Sequence, residues 1–256
     1  AGANTVTNIP NDADDTGLAV AAQELGRRQG LGSGDAASMR TLTGFRDLGR
    51  GAPTDPLESW QGADTGAFGT WLAPERENPF ERPDQGVIPM GRNDVGPVVN
   101  SNALFGLALT DQLEMPGASA AIHLVARTIK ERQWQQGTRY YPQPQVFPNC
   151  ATRAWREGKI NDPELEAAMP VLLKDLIEMQ KPDGSFPAGS EDDSGALSTA
   201  MSVVALANIG RDMADKNGLG LAFNQALEQG VEYLVKAGKP KGVLHDDTFH
   251  REGSET

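Results

Sequence analysis

Three carboxylates fall within four positions in Asn11-Asp12-Ala13-Asp14-Asp15-Thr16. Apolar residues at helical spacing (Leu18, Ala21, Ala22, Leu25) follow at once, so the cluster opens a helix. The macrodipole offsets only part of the repulsion among such charges. Facing a dry cavity, at least one of the carboxyls should hold its proton well above the ordinary Asp value of about 3.9. A neutral carboxyl in an apolar chamber is a general acid able to protonate an alkene or an epoxide. Ring faces and the remaining carboxylates would then stabilise the cation formed.

Two plainer readings stand beside this one. Asp-rich N-caps are common on solvated helices and do no chemistry. The segment also touches the pattern of a Ca²⁺ loop, with Asp12, Asp14, Thr16 and Gly17 at its positions 1, 3, 5 and 6. Gln23 then stands where that loop requires Glu. Other candidates are weaker. His245-Asp246-Asp247-Thr248-Phe249-His250 gathers metal-ligating types in a run that reads more simply as solvated. Glu191-Asp192-Asp193 could hold Mg²⁺, but its spacing fits a solvated loop better. Cys150 has no histidine nearby in sequence and reads as a buried thiol. Trp60, Phe68, Trp71 and Phe80, with Tyr140 and Tyr141, either wall a pocket or pin loops.

The elements that must position these residues are helices. Asp15–Gln29, Asn100–Leu113, Ala118–Gln136, Pro163–Gln180, Ser194–Ile209 and Leu219–Ala237 carry the apolar spacing. Asp162 is the predicted N-cap of the fourth, with Pro163 in its first turn, and Gly210 closes the fifth. Much of the 17 Pro and 29 Gly goes into long connections, above all 51–97. Period-2 alternation is absent, so the predicted class is all-α. With 256 residues the chain reads as one domain over 1–256, or as a piece of a longer chain. Lys plus Arg is 23 against 35 Asp plus Glu, a net charge of −12, the wrong sign for tracking phosphates in nucleic acid. No apolar run reaches the roughly 20 residues of a spanning helix. A single cysteine excludes an internal disulfide and any multi-cysteine metal cluster. The small-residue start, Ala1-Gly2-Ala3, fits either a fragment end or a signal-cleavage product.

Two internal echoes run through the chain. Asp15-Thr16-Gly17-Leu18 can be laid on Ser101-Asn102-Ala103-Leu104 and on Ser198-Thr199-Ala200-Met201. Small residues at helical spacing let helix axes approach, as the inner ring of a helical toroid requires. Gln180-Lys181-Pro182-Asp183-Gly184-Ser185-Phe186 is nearly repeated by Gln61 to Phe68.

With these motifs in view, the chain resembles squalene–hopene cyclases and class II terpene cyclases. Asp12-Ala13-Asp14-Asp15-Thr16 matches their Asp-x-Asp-Asp motif. Gln180 to Phe186 is similar to their Gln/Trp repeat, with Phe for Trp, and Asp94-Val95 with Val99 to Leu104 looks like an inner-helix start. The resemblance implies an α/α toroid with long Pro/Gly-rich loops, in size nearest a single β-type cyclase domain. It implies protonation-initiated cyclisation of an isoprenoid, with Asp14 as acid and Asp12 and Asp15 flanking it. It places Trp60, Phe68, Trp71, Asn100, Asn102 and Phe186 around the substrate. Mg²⁺ enters only with a diphosphate substrate, and a further domain or a second copy could complete the protein. A cytoplasmic or membrane-peripheral place is favoured, with periplasm or secretion left open. Two other readings remain. One is a polysaccharide lyase or glycoside hydrolase on a similar toroid, with Trp60, Trp71, Trp134 and Trp155 as platforms. The other is a non-catalytic scaffold or lipid-binding shell.

Overall fold

The computed structural model describes residues 11–32, 36–73, 92–187 and 195–238. Among them the chain is all-helical, and its only sheet-like pairings are two isolated antiparallel bridges. The helices are α1 (Ala13–Arg28), α2 (Pro97–Leu109), α3 (Ala118–Lys130), α4 (Val146–Arg156), α5 (Pro163–Met179), α6 (Ala196–Ile209), α7 (Arg211–Lys216) and α8 (Gly220–Ala237). Short 3₁₀ turns cover Ala36–Gly44, Ser59–Gln61 and Gln133–Gln136. No described helix is long and apolar enough to cross a membrane.

The described residues form two compact units that divide between Ala121 and Ile122, within α3. In the first, α2 is buried along its whole length, with Val98, Ala103, Leu104 and Leu107 at its core. A helix apolar on all sides belongs in an interior. The neighbour it packs against most is α1, and the two approach closely because Gly17 faces Gly106. A Cβ on Gly17 would lie 2.6 Å from the Asn102 carbonyl oxygen, and one on Gly106 would lie 2.6 Å from the Gly17 carbonyl oxygen. In the second unit α6 has the central place, packed against α4 and α8.

Caps explain the boundaries. The Asp162 side chain accepts from the Glu164 and Leu165 N–H groups, Pro163 leads α5, and Gly210 ends α6 at a φ of 84°. Two helices lie outside the sequence-based set. α4 begins Val146-Phe147-Pro148, and an early Pro hides a helix start that it in fact tolerates. α7 is short and mostly polar, with no apolar stripe to read.

Both units use the same clasp between an aromatic loop and the start of the buried helix. In the first, Phe68 N–H donates to Asn100 Oδ1 at 3.0 Å, and Asn100 Nδ2 donates back to the Phe68 carbonyl at 2.9 Å. In the second, Phe186 N–H donates to Thr199 Oγ1, also at 3.0 Å. Asn100 Nδ2 and Thr199 Oγ1 each also donate to the carbonyl of the N-cap glycine, Gly96 or Gly195. Phe68 and Phe186 are both completely buried. This equivalence pairs Asn100 with Thr199 and corrects the sequence alignment, which had paired Asn102 with Thr199. A run of small residues has no unique register, whereas a hydrogen-bonded clasp does.

Candidate functional site

The acidic motif spans the N-cap and first turn of α1. Asp12 is the N-cap, and its Oδ1 accepts from Asp15 N–H at 2.6 Å. The Thr16 N–H bonds to the Asp12 carbonyl, and the Ala13 N–H bonds to the Thr70 carbonyl at 2.8 Å. The amide groups that a helix start leaves open are thereby taken up locally and by the loop at 70. α1 runs unbroken from Ala13 to Arg28, so Thr16, Gly17 and Gln23 are helical and cannot form a twelve-residue Ca²⁺ loop.

The three carboxylates differ in environment. Asp15 is exposed and Asp12 is half-buried, whereas Asp14 is 5% exposed. The Asn102 amide, itself buried on α2, donates to Asp14 Oδ1 at 2.5 Å. Burial pushes the Asp12 carboxyl up to about 6; the charges of Asp15 and Asp14 add to this, against the lowering by the Asp15 N–H bond.

That shift has a measurable sign. Asp12 binds its proton more tightly folded than unfolded, so its contribution to stability is present below about pH 4 and falls as pH rises to about 6. Because the group is partly solvated, the loss is about 1 kcal/mol. Asn caps helices as well as Asp does. Asp12→Asn should therefore keep α1 and remove this component. The check is urea unfolding at several pH values, where the variant-minus-wild-type difference should grow from pH 4 to 6. A flat difference would contradict the shift.

The loop opposite the acid is held by buried polar groups. Asn93 Oδ1 accepts from Trp71 N–H at 2.9 Å, and its Nδ2 donates to the Trp71 carbonyl at 2.7 Å. Trp71 pairs through its backbone with Asp12, and the Leu72 N–H donates to the Asn11 carbonyl. Thr70 Oγ1 donates to Asp94 Oδ2 at 2.6 Å. Asp14, Asn93, Asp94, Asn100 and Asn102 are all at most 5% exposed.

Of the residues singled out from sequence, Asp12, Asp14, Asp15, Phe68, Trp71, Asn100 and Asn102 lie in the first unit around the α1–α2 contact and its loop. Asn100 and Phe68 serve the clasp described above, and Trp71 is 7% exposed. Trp60, in the same unit, is half-buried and donates from Nε1 to the Leu57 carbonyl at 2.9 Å. Phe186 belongs to the second unit. Trp134, a candidate glycan platform, is completely buried, so its ring cannot stack on a sugar. Cys150 is buried. Phe80, the Glu191-Asp192-Asp193 run and the His245–His250 run lie outside the described residues. Asn93 and Thr70 went unremarked in the sequence, where an Asn before Asp94 and a Thr in a Gly/Pro-rich loop carry no periodic signal.

Among the described residues, no cluster of three or more His, Cys, Asp and Glu is placed to hold a metal ion. Compared with protein-family models, curated proteins and solved structures, the chain finds no match.

Proposed function

We propose that the chain is a protonation-initiated isoprenoid cyclase of the class II kind, with Asp14 as its general acid, on an α/α-toroid scaffold. The observation that carries the reading is the buried Asp14–Asn102 pair at the start of α1, beside a half-buried and an exposed carboxylate. A catalytic acid needs a desolvated carboxyl held in one orientation, and a solvated N-cap offers neither. The Asn102 N–H on Oδ1 holds the Asp14 carboxyl in one orientation.

In the proposed reaction the Asp14 O–H bond breaks and its proton adds to the =CH– carbon of the terminal double bond, leaving the positive charge on the more substituted carbon, or to the oxygen of an epoxide. The cation so formed is attacked by the next double bond of the same molecule, closing a ring. Loss of a proton to water from the final cation leaves an isomer of the substrate, and Asp14 regains a proton from solvent. Asp12 and Asp15 stabilise positive charge near the initiating carbon.

The test is incubation of the protein with linear prenyl diphosphates, their terminal epoxides and neutral oligosaccharides of graded length. Cyclised isomers of a prenyl substrate, with any diphosphate retained, are the expected result. Turnover of the sugars with no cyclised product would replace this reading with the carbohydrate one.

A further inference from the structure

Thr70 and Asp94 form a second buried polar pair, on the loop bonded to the first residue of α1, and no motif marks it. Thr70 bonds in three directions: its N–H to the Asp94 carbonyl at 2.8 Å, its Oγ1 to Asp94 Oδ2 at 2.6 Å, and its carbonyl to the Ala13 N–H at 2.8 Å. Thr70 is 3% exposed, Asp94 2% and Ala13 0%. Ala13 is the first residue of α1 and stands between Asp12 and Asp14 in the chain. Asn93 clamps both backbone groups of Trp71, which pairs with Asp12. A short hydroxyl-to-carboxylate bond of this kind is among the stronger neutral-donor contacts, and burial leaves it little freedom to shift.

We infer that Thr70 and Asp94 are positioning residues for the proposed acid, fixing the first turn of α1 so that Asp14 and Asp12 keep their burial and orientation. The inference rests on the cyclase reading for its catalytic consequence, but its structural consequence can be read without any turnover. The groups that set the Asp12 environment are the Asp15 and Asp14 carboxylates and N–H groups from its own helix. On the loop packed against that helix, the charged groups nearest this contact are Asp94, bonded to Thr70, and Arg50, which donates to the Asn93 carbonyl.

The experiment compares Thr70→Val, which keeps shape and loses the hydroxyl, with Thr70→Ser, which restores it. Side-chain carboxyl ¹³C shifts of aspartate-labelled full chain would be followed through a pH titration, alongside kinetics on whichever prenyl substrate the wild type cyclises. In Thr70→Val the high Asp12 midpoint, about 6 in the wild type, should fall toward the ordinary aspartate value as the turn opens to water. kcat should drop roughly tenfold at little-changed KM, the cost of a misplaced catalytic group. Thr70→Ser should recover both. A Thr70→Val chain that is less stable but keeps the Asp12 titration would show the pair to be merely structural and overturn the inference, as would failure of Thr70→Ser to rescue. Should Thr70→Val not fold, Thr70→Ala, which also loses the hydroxyl, takes its place: its Asp12 midpoint should fall toward the ordinary aspartate value, and a retained midpoint would overturn the inference. If no variant and no wild-type sample turns over a prenyl substrate, the cyclase reading fails while the titration still decides the positioning.

Discussion

Gly17→Ala is expected to destabilise the protein by about 2 kcal/mol, lowering the melting temperature by roughly 4–8 °C. The sign is informative. In a free helix the same change would stabilise by about 1 kcal/mol, because alanine is the better helix former. Here the new Cβ would meet the Asn102 carbonyl oxygen at 2.6 Å and the Ala103 backbone nitrogen at 2.9 Å. These are main-chain atoms of a buried helix, with no flexible side chain to give way. Overpacking of this kind costs about 3 kcal/mol, more than the propensity gain. Parting the helices would also lengthen the Asn102–Asp14 bond, since Asp14 lies one turn before Gly17 on α1. Thermal unfolding of the variant decides it; a rise in melting temperature would mean that α1 and α2 are not in backbone contact.

Asp14→Asn should cut turnover of a prenyl substrate about 10³-fold or more, the upper part of the range for a lost general acid. The fold should survive. Asparagine has the same shape, and its Oδ1 can still accept from the Asn102 amide. Removing a buried ionisable group without leaving a cavity is also close to neutral for stability. The variant thus separates chemistry from architecture: far-UV circular dichroism and the unfolding midpoint should match the wild type while product formation disappears.

The helices were legible because their caps and apolar spacing are local signals. Asp162-Pro163 and Gly210 marked ends that the fold respects. The acidic motif was legible too, since three carboxylates in four positions cannot be overlooked. Its division into one buried, one half-buried and one exposed group was not, because that depends on Asn102, on another helix far along the chain, and on the loop at 70–72. The same limit explains the register error in α2. Ala103, Leu104 and Gly106 resemble any small-and-apolar run, and only the bonds of Asn100 to Phe68 fix where the clasp begins. Polar residues that bond to the main chain of a distant loop, such as Asn93 and Thr70, leave no period behind them in the sequence.

Running the reaction in D₂O probes the proposed role of Asp14 most directly. A carboxyl that exchanges with solvent and opens the reaction must deliver one deuteron to the =CH– carbon of the terminal double bond of an alkene substrate. Mass spectrometry and ²H NMR of the wild-type product should find one deuterium there per molecule, and Asp14→Asn should yield no labelled product. A cyclised product formed in D₂O without deuterium at that carbon, or labelled product from Asp14→Asn at the wild-type rate, would contradict the account.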